Sequence, residues 1–104
     1  MKPLTLFVSD LVYEQIREQV LFIARDSVAN ALAWEDRLLA AIKELANNHA
    51  YPIDEDASNR LGQPARKMVF ERTYLVHFTL NPAASEIRVI NFRHGGRLPA
   101  PDEP

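Results

Sequence analysis

From Leu11 to Leu45 apolar side chains return every three or four positions, and from Arg66 to Phe92 they return mostly every second. That change of period divides the chain into a helical part and a strand part. Leu4-Thr5-Leu6-Phe7-Val8 reads as a short opening strand, and Ser9 or Asp10 is a good N-cap for a helix beginning near Leu11. Val12, Ile16, Val20 and Ile23 make its apolar stripe, while Glu14, Arg17, Glu18 and Arg25 lie elsewhere on the wheel. Asp26-Ser27 offers a second cap. Val28, Ala31, Leu32, Leu38, Leu39, Ile42 and Leu45 then keep helical spacing for about five turns. Two helices with so short a join form an antiparallel hairpin.

Asn47-Asn48-His49 closes the second helix, and Pro52, Asp54-Glu55-Asp56, Gly62 and Pro64 punctuate a long loop that reads as a solvated connector up to Ala65. Arg66, Met68 and Phe70 then alternate with Lys67, Val69 and Glu71. After Arg72, Tyr74, Val76, Phe78 and Leu80 share the face that should meet the helices. Asn81-Pro82-Ala83-Ala84-Ser85 supplies a turn, and Ile87 to Arg93 carries apolar residues on both faces, as an interior strand does. The predicted class is α+β: an N-terminal strand, an antiparallel helical hairpin, and a three-stranded antiparallel meander completing one sheet.

The length of 104 residues suits one domain, read here as residues 1–104 with 98–104 a flexible tail. The chain has no apolar run near the ~18 residues that span a bilayer, and its start lacks a signal peptide's apolar core, so no membrane association and a cytoplasmic location are expected. The absence of cysteine excludes disulfides and thiolate chemistry. His49, His77 and His94 are too scattered for a recognisable metal site, and neither metal nor cofactor is expected. The net charge of −2 hides a division: residues 1–59 hold five basic and ten acidic side chains, residues 60–97 seven basic and two acidic. Such a split favours a basic face for an acidic partner.

The last strand runs into His94-Gly95-Gly96-Arg97, so Arg88, Arg93, Arg97 and His94 fall within ten residues at a strand end. A β-branched run stopped by Gly-Gly is a rigid frame for cations, where phosphate or carboxylate recognition is easily built.

Several features taken together resemble the RelE/ParE superfamily of toxins from bacterial type II toxin-antitoxin systems. They are Val8-Ser9 before the first helix, the Ala31 to Leu45 helix containing Trp34, Arg66 after a Pro-containing loop, Tyr74-Leu75-Val76-His77-Phe78, and Ile87-Arg88-Val89-Ile90 leading to His94-Gly95-Gly96-Arg97-Leu98-Pro99. The last is similar to the His-Gly-Ala-Arg ending frequent in that family. The resemblance spans nearly the whole chain and implies a toxin silenced by a cognate antitoxin, as a hetero-oligomer with it or as a homodimer. RelE-like members cleave mRNA in the ribosomal A site, whereas ParE-like members poison DNA gyrase without a known catalytic centre.

For mRNA cleavage, Arg66, Arg93 and Arg97 would supply transition-state charge, and His94 or Tyr74 would move protons. The family's nucleases, however, commonly carry an aromatic partner near the C-terminus, whereas here no tyrosine follows Tyr74 and the end is Pro99-Ala100-Pro101-Asp102-Glu103-Pro104. Net acidity also disfavours work inside ribosomal RNA. The resemblance therefore leans to the non-enzymatic gyrase inhibitor, with Arg66, Arg93, His94 and Arg97 as target-binding residues. The alternatives are the ribosome-dependent endonuclease and a non-toxic binding module on the same fold.

Each residue has a plainer role as well. Arg66 also reads as a structural partner of Glu71 or of a helix carboxylate. Tyr74 is read as a packed ring with its hydroxyl at the rim, and Gly95-Gly96 as a strand-ending turn. His77 points away from Tyr74 and is read as surface or antitoxin-facing. Trp34, at the edge of the apolar stripe, is core if buried; exposed, it would join Phe7, Leu11 and Phe22 in an antitoxin-docking patch.

Overall fold

The computed structural model describes residues 3–95. Among these, four strands form one mixed sheet and three α-helices accompany it. The strand β1 (Thr5–Val8) leads into α1 (Asp10–Ala24) and α2 (Val28–Glu44). A short α3 (Glu55–Leu61) precedes β2 (Arg66–Phe70), β3 (Tyr74–Asn81) and β4 (Glu86–His94). The expected α+β class is observed. No helix of the described residues is long and apolar enough to cross a membrane.

Both hairpin helices start where a serine side chain satisfies an orphan backbone donor. Ser9 Oγ accepts from Val12 N–H at 3.3 Å and Ser27 Oγ from Asn30 N–H at 3.1 Å. The buried face of α1 is Val12, Ile16 and Gln19, and that of α2 is Ala31, Trp34, Leu38 and Ile42. This narrows the expected α2 stripe, since Val28, Leu32 and Leu39 are exposed. Trp34 lies at the stripe's centre rather than its edge. It stands edge-on to Phe70, Tyr74 and Phe92 with ring centroids 6.3, 5.1 and 6.0 Å away.

The segment read as a solvated loop contains α3. Asp54 Oδ1 accepts from Ala57 N–H at 3.1 Å, Glu55 and Asp56 place negative charge in the first turn, and Gly62 closes the helix at φ 71°. The acidic triplet is thus a helix start. Ala57 is buried, and Pro52, Asp54, Ala65 and Lys67 exchange backbone hydrogen bonds that lay the segment along β2.

In the sheet, strands follow the order β1-β4-β3-β2, with β4 interior as expected. The meander β2-β3-β4 is antiparallel, and β1 joins β4 in parallel register from Thr5↔Glu86 to Val8↔Val89. Phe78 of β3 faces Val89 of β4, yet the next residue back, His77, faces Asn91, so Ile90 is the extra residue of a bulge. The bulge changes the phase of β4. Ile87 and Val89 before it and Phe92 after it therefore all join the core. What reads in sequence as an apolar run on two faces is largely one face whose parity switches at Ile90.

The β2–β3 turn has both central residues at positive φ, Glu71 at 49° and Arg72 at 62°, and Thr73 N–H donates to Phe70 O at 3.1 Å. Tight hairpins favour this mirror-image geometry, but glycine or asparagine normally occupies it. Glu71 recovers an ion pair with Arg37, whose Nε lies 2.7 Å from Oε2. The fold offers Arg72 no comparable return. Replacing Arg72 by Gly should raise stability by about 1 kcal/mol, given the ~1–2 kcal/mol cost of a left-handed L-residue. In thermal unfolding this should raise Tm by about 4–8 °C for a domain of this size, and a fall in Tm would show that the turn is not strained.

Candidate functional site

At the C-terminal end of β4, the cross-strand pair Tyr74↔His94 sets the arrangement. The Tyr74 ring stacks on Phe92 with centroids 5.6 Å apart and planes 16° from parallel, and His94 meets it edge-on at 5.5 Å. Gln19 Nε2 donates to the Tyr74 hydroxyl at 3.1 Å. The tyrosine is thus the packed ring with a rim hydroxyl expected from its position. Arg93 Nη1 donates to the His94 carbonyl at 3.5 Å. Gly95 N–H donates to Thr73 O at 2.7 Å, and a Cβ added at Gly95 would stand 2.9 Å from the same oxygen. Glycine is required there because two backbones meet. This contact ties the end of β4 to the β2–β3 turn.

Arg66 does not join this group. It pairs with Phe78 in the sheet, whereas Arg93 pairs with Leu75, so the two lie about 10 Å apart along the strands and about 10 Å across them. Nor does Arg66 meet Glu71 or a helix carboxylate: its Nη1 donates to Tyr51 O at 2.6 Å, and Glu71 belongs to Arg37. Arg97 lies outside the described residues. Of the four candidates, Arg93 and His94 both sit at the end of β4 but on opposite faces of the strand, His94 beside Tyr74 and Arg93 on the His77 side.

Of the five residues expected to face an antitoxin, Phe7, Leu11 and Phe22 are exposed, at 38%, 36% and 52%. Arg88 stacks over Phe7 with its guanidinium carbon 4.4 Å from the ring centre, and Arg25 covers Phe22 at 5.6 Å. Trp34 and His77 must be corrected. Trp34 is 4% exposed because the aromatic cluster encloses it. His77 points away from Tyr74 as expected but is 0% exposed, because the segment leading into α3 covers that face of the sheet.

Around His77 runs a buried polar chain that sequence reasoning missed. Phe92 N–H donates to Gln15 Oε1 at 2.9 Å, and Gln15 Nε2 donates to Asn91 Oδ1 at 2.8 Å. Asn91 Nδ2 then donates to His77 Nδ1 at 3.3 Å, leaving Nε2–H to donate to Asp54 Oδ2 at 3.0 Å. A backbone donor at one end and an acceptor-only carboxylate at the other fix the direction of every link. The imidazole in this chain is neutral. Burial lowers the His77 pKa against the opposing pull of Asp54, and the nearby Arg93 and Arg60 charges add to the lowering. Burial works to raise the Asp54 pKa, but the Ala57 and His77 hydrogen bonds outweigh it and the net shift is downward. The available signal was Asp54-Glu55-Asp56 ahead of Gly62 and Pro64, a helix start and stop.

Because folded His77 holds its proton more weakly than the unfolded chain does, acid favours unfolding. Its contribution should be complete above the unfolded value of about 6.5 and decline as pH falls from there to the lowered folded value. Urea titrations at stepped pH should show that decline, and His77→Gln should flatten it. A wild-type stability unchanged through that interval would refute the buried neutral imidazole.

Among the described residues, no group of three histidine, aspartate or glutamate side chains is placed to hold a metal ion. Among the described residues, what the β4 end offers chemically is one guanidinium, Arg93, and on the other face of the strand the His94 imidazole backed by Tyr74. Comparison with protein-family models and with curated proteins finds no match to this chain.

Proposed function

We propose that the protein is a ParE-like toxin that inhibits DNA gyrase by binding and is neutralised by a cognate antitoxin. The observation that carries this reading is the dispersal of the nuclease candidates. Arg66, two strands away from Arg93, is engaged by Tyr51 O, and the Tyr74 hydroxyl is engaged by Gln19. General acid–base cleavage needs cations and proton carriers around one scissile phosphate. Among the described residues, Arg93 and His94 end β4 on opposite faces of the strand and do not converge on one point.

Exposed Phe7, Leu11 and Phe22 support the antitoxin half of the proposal, since an amphipathic segment could cover such side chains. They belong to β1 and α1, whereas the cationic rim belongs to the end of β4. Neutralisation and target binding can thus use different residues.

Purified protein should lower gyrase supercoiling or accumulate cleaved DNA complexes, and it should leave mRNA on ribosomes intact. In-frame mRNA cuts on ribosomes would instead establish the endonuclease, and silence in both assays would leave a non-toxic binding module. His94→Ala and Arg97→Ala should each relieve growth inhibition on expression while antitoxin co-purification persists. Undiminished toxicity in both variants would remove these residues from the target surface.

A further inference from the structure

We infer that Arg72 is a further target-contacting residue, presenting its guanidinium from the strained β2–β3 turn to a carboxylate on the surface of the inhibited protein. The inference rests on the function proposed above and adds a residue from a different element.

Three observations converge on it. The first is conformational: Arg72 sits at φ 62°, where glycine or asparagine is the unstrained choice. Glu71, its neighbour at φ 49°, is held by a two-point contact with Arg37 at 2.7 and 3.5 Å. Arg72 is exposed and makes no hydrogen bond, ion pair or ring contact among the described residues, so the fold gains nothing from its side chain. Strain that the fold does not recover is where a demand from outside the fold is expected.

The second observation is position. Tyr74 pairs with His94 across the sheet, and Gly95 N–H donates to Thr73 O at 2.7 Å. The turn and the end of β4 therefore form one rim, with Arg72 on the turn and Arg93 and His94 at the strand end, one on each face of the sheet. The absence of room for a Cβ at Gly95 shows how closely the two backbones are held.

The third is chemical. A guanidinium grips an oxyanion through a fork of N–H donors, and a fixed backbone lowers the entropy lost on doing so. Overall charge selects the source of that oxyanion. Residues 60–97, which hold Arg72, carry seven basic and two acidic side chains, but residues 1–59 carry five basic and ten acidic. An extended polyanion would run from the first region onto the second, whereas a carboxylate cluster on a protein needs only the local excess.

The test compares two substitutions within one turn. Asparagine tolerates positive φ, so Arg72→Asn keeps the rim and removes the charge, and Glu71→Asn keeps Arg72 while releasing Arg37. Arg72→Asn should melt no lower than wild type and raise the half-inhibitory concentration in gyrase supercoiling roughly tenfold, as loss of an interface arginine does. Glu71→Asn should inhibit at least as well as wild type, because it keeps the Arg72 guanidinium and removes an acidic charge beside it. Equal inhibition by Arg72→Asn and wild type would overturn the inference while leaving the gyrase reading intact. Equal loss in both variants would assign the effect to turn shape and overturn it too. Binding of the free protein to duplex DNA that Arg72→Asn abolishes would replace the carboxylate with a phosphate. A wild-type protein inert toward gyrase would remove reading and inference together.

Discussion

An imidazole with no solvent access must have both ring nitrogens satisfied, and the way His77 meets that demand organises the sheet and its surroundings. Asn91 serves one nitrogen only because the bulge at Ile90 sets it opposite His77 while returning Phe92 to the core. Asp54 serves the other, and through its second oxygen it caps α3. Gln15 completes the chain at the place where β1 has ended. The last β1–β4 pair is Val8↔Val89, so the Phe92 N–H would face an empty edge, and the Gln15 side-chain amide pairs with it in place of a strand. One polar path therefore joins α1, β4, β3 and the start of α3. Each link satisfies a group that would otherwise cost about 1–3 kcal/mol when buried unpaired.

The same path stabilises the rim at the end of β4. Asn91 and Phe92 are its anchors, and Arg93 and His94 follow immediately. Tyr74, stacked on Phe92 and bonded to Gln19, backs His94 from the helical side of the sheet. Gly95 then locks the rim to the β2–β3 turn. A rim held this firmly loses little entropy when it captures an anionic group.

Much of the architecture is legible in the sequence because it depends on period and local chemistry. Ser9 and Ser27 act as caps, the hairpin helices hold near their expected bounds, and the final strand is interior. What escapes is non-local. Whether Asp54 belongs to a loop or a cap depends on what its carboxylate meets, and that partner is a histidine 23 positions away. The fate of His77 depends in turn on that same segment, since period two alone places it outside. Arg66 took a backbone carbonyl rather than a carboxylate because the β2 edge is lined by the 51–54 segment. The Ile90 bulge had a faint signal in Val89-Ile90-Asn91-Phe92, where one buried polar residue interrupts an apolar run. Within the candidate site, the pairing of His94 with Tyr74 follows from register once the meander is known. The strain at Arg72 does not, because backbone angles leave no trace in composition when glycine is absent from the turn.

The arginines over Phe7 and Phe22 bear on how exposed rings coexist with solvent, Phe7 on the sheet face away from the core and Phe22 on α1. A guanidinium face over a ring shields part of it from water and leaves its N–H groups at the edge, where Arg88 Nη2 donates to Glu86 Oε2 at 3.2 Å. Phe7 and Arg88 lie on neighbouring strands in direct register, so their stacking is built into the sheet. Phe22 and Arg25 are three residues apart, one helical turn, so theirs is built into the end of α1. A partner covering these rings would meet a guanidinium above each aromatic, the one over Phe7 already paired with Glu86. An amphipathic segment with carboxylates flanking its apolar stripe fits that surface better than a purely apolar one. Under the proposed function, antitoxin and target would then both approach through acidic groups, on two separate faces, each set by a backbone that does not need to move.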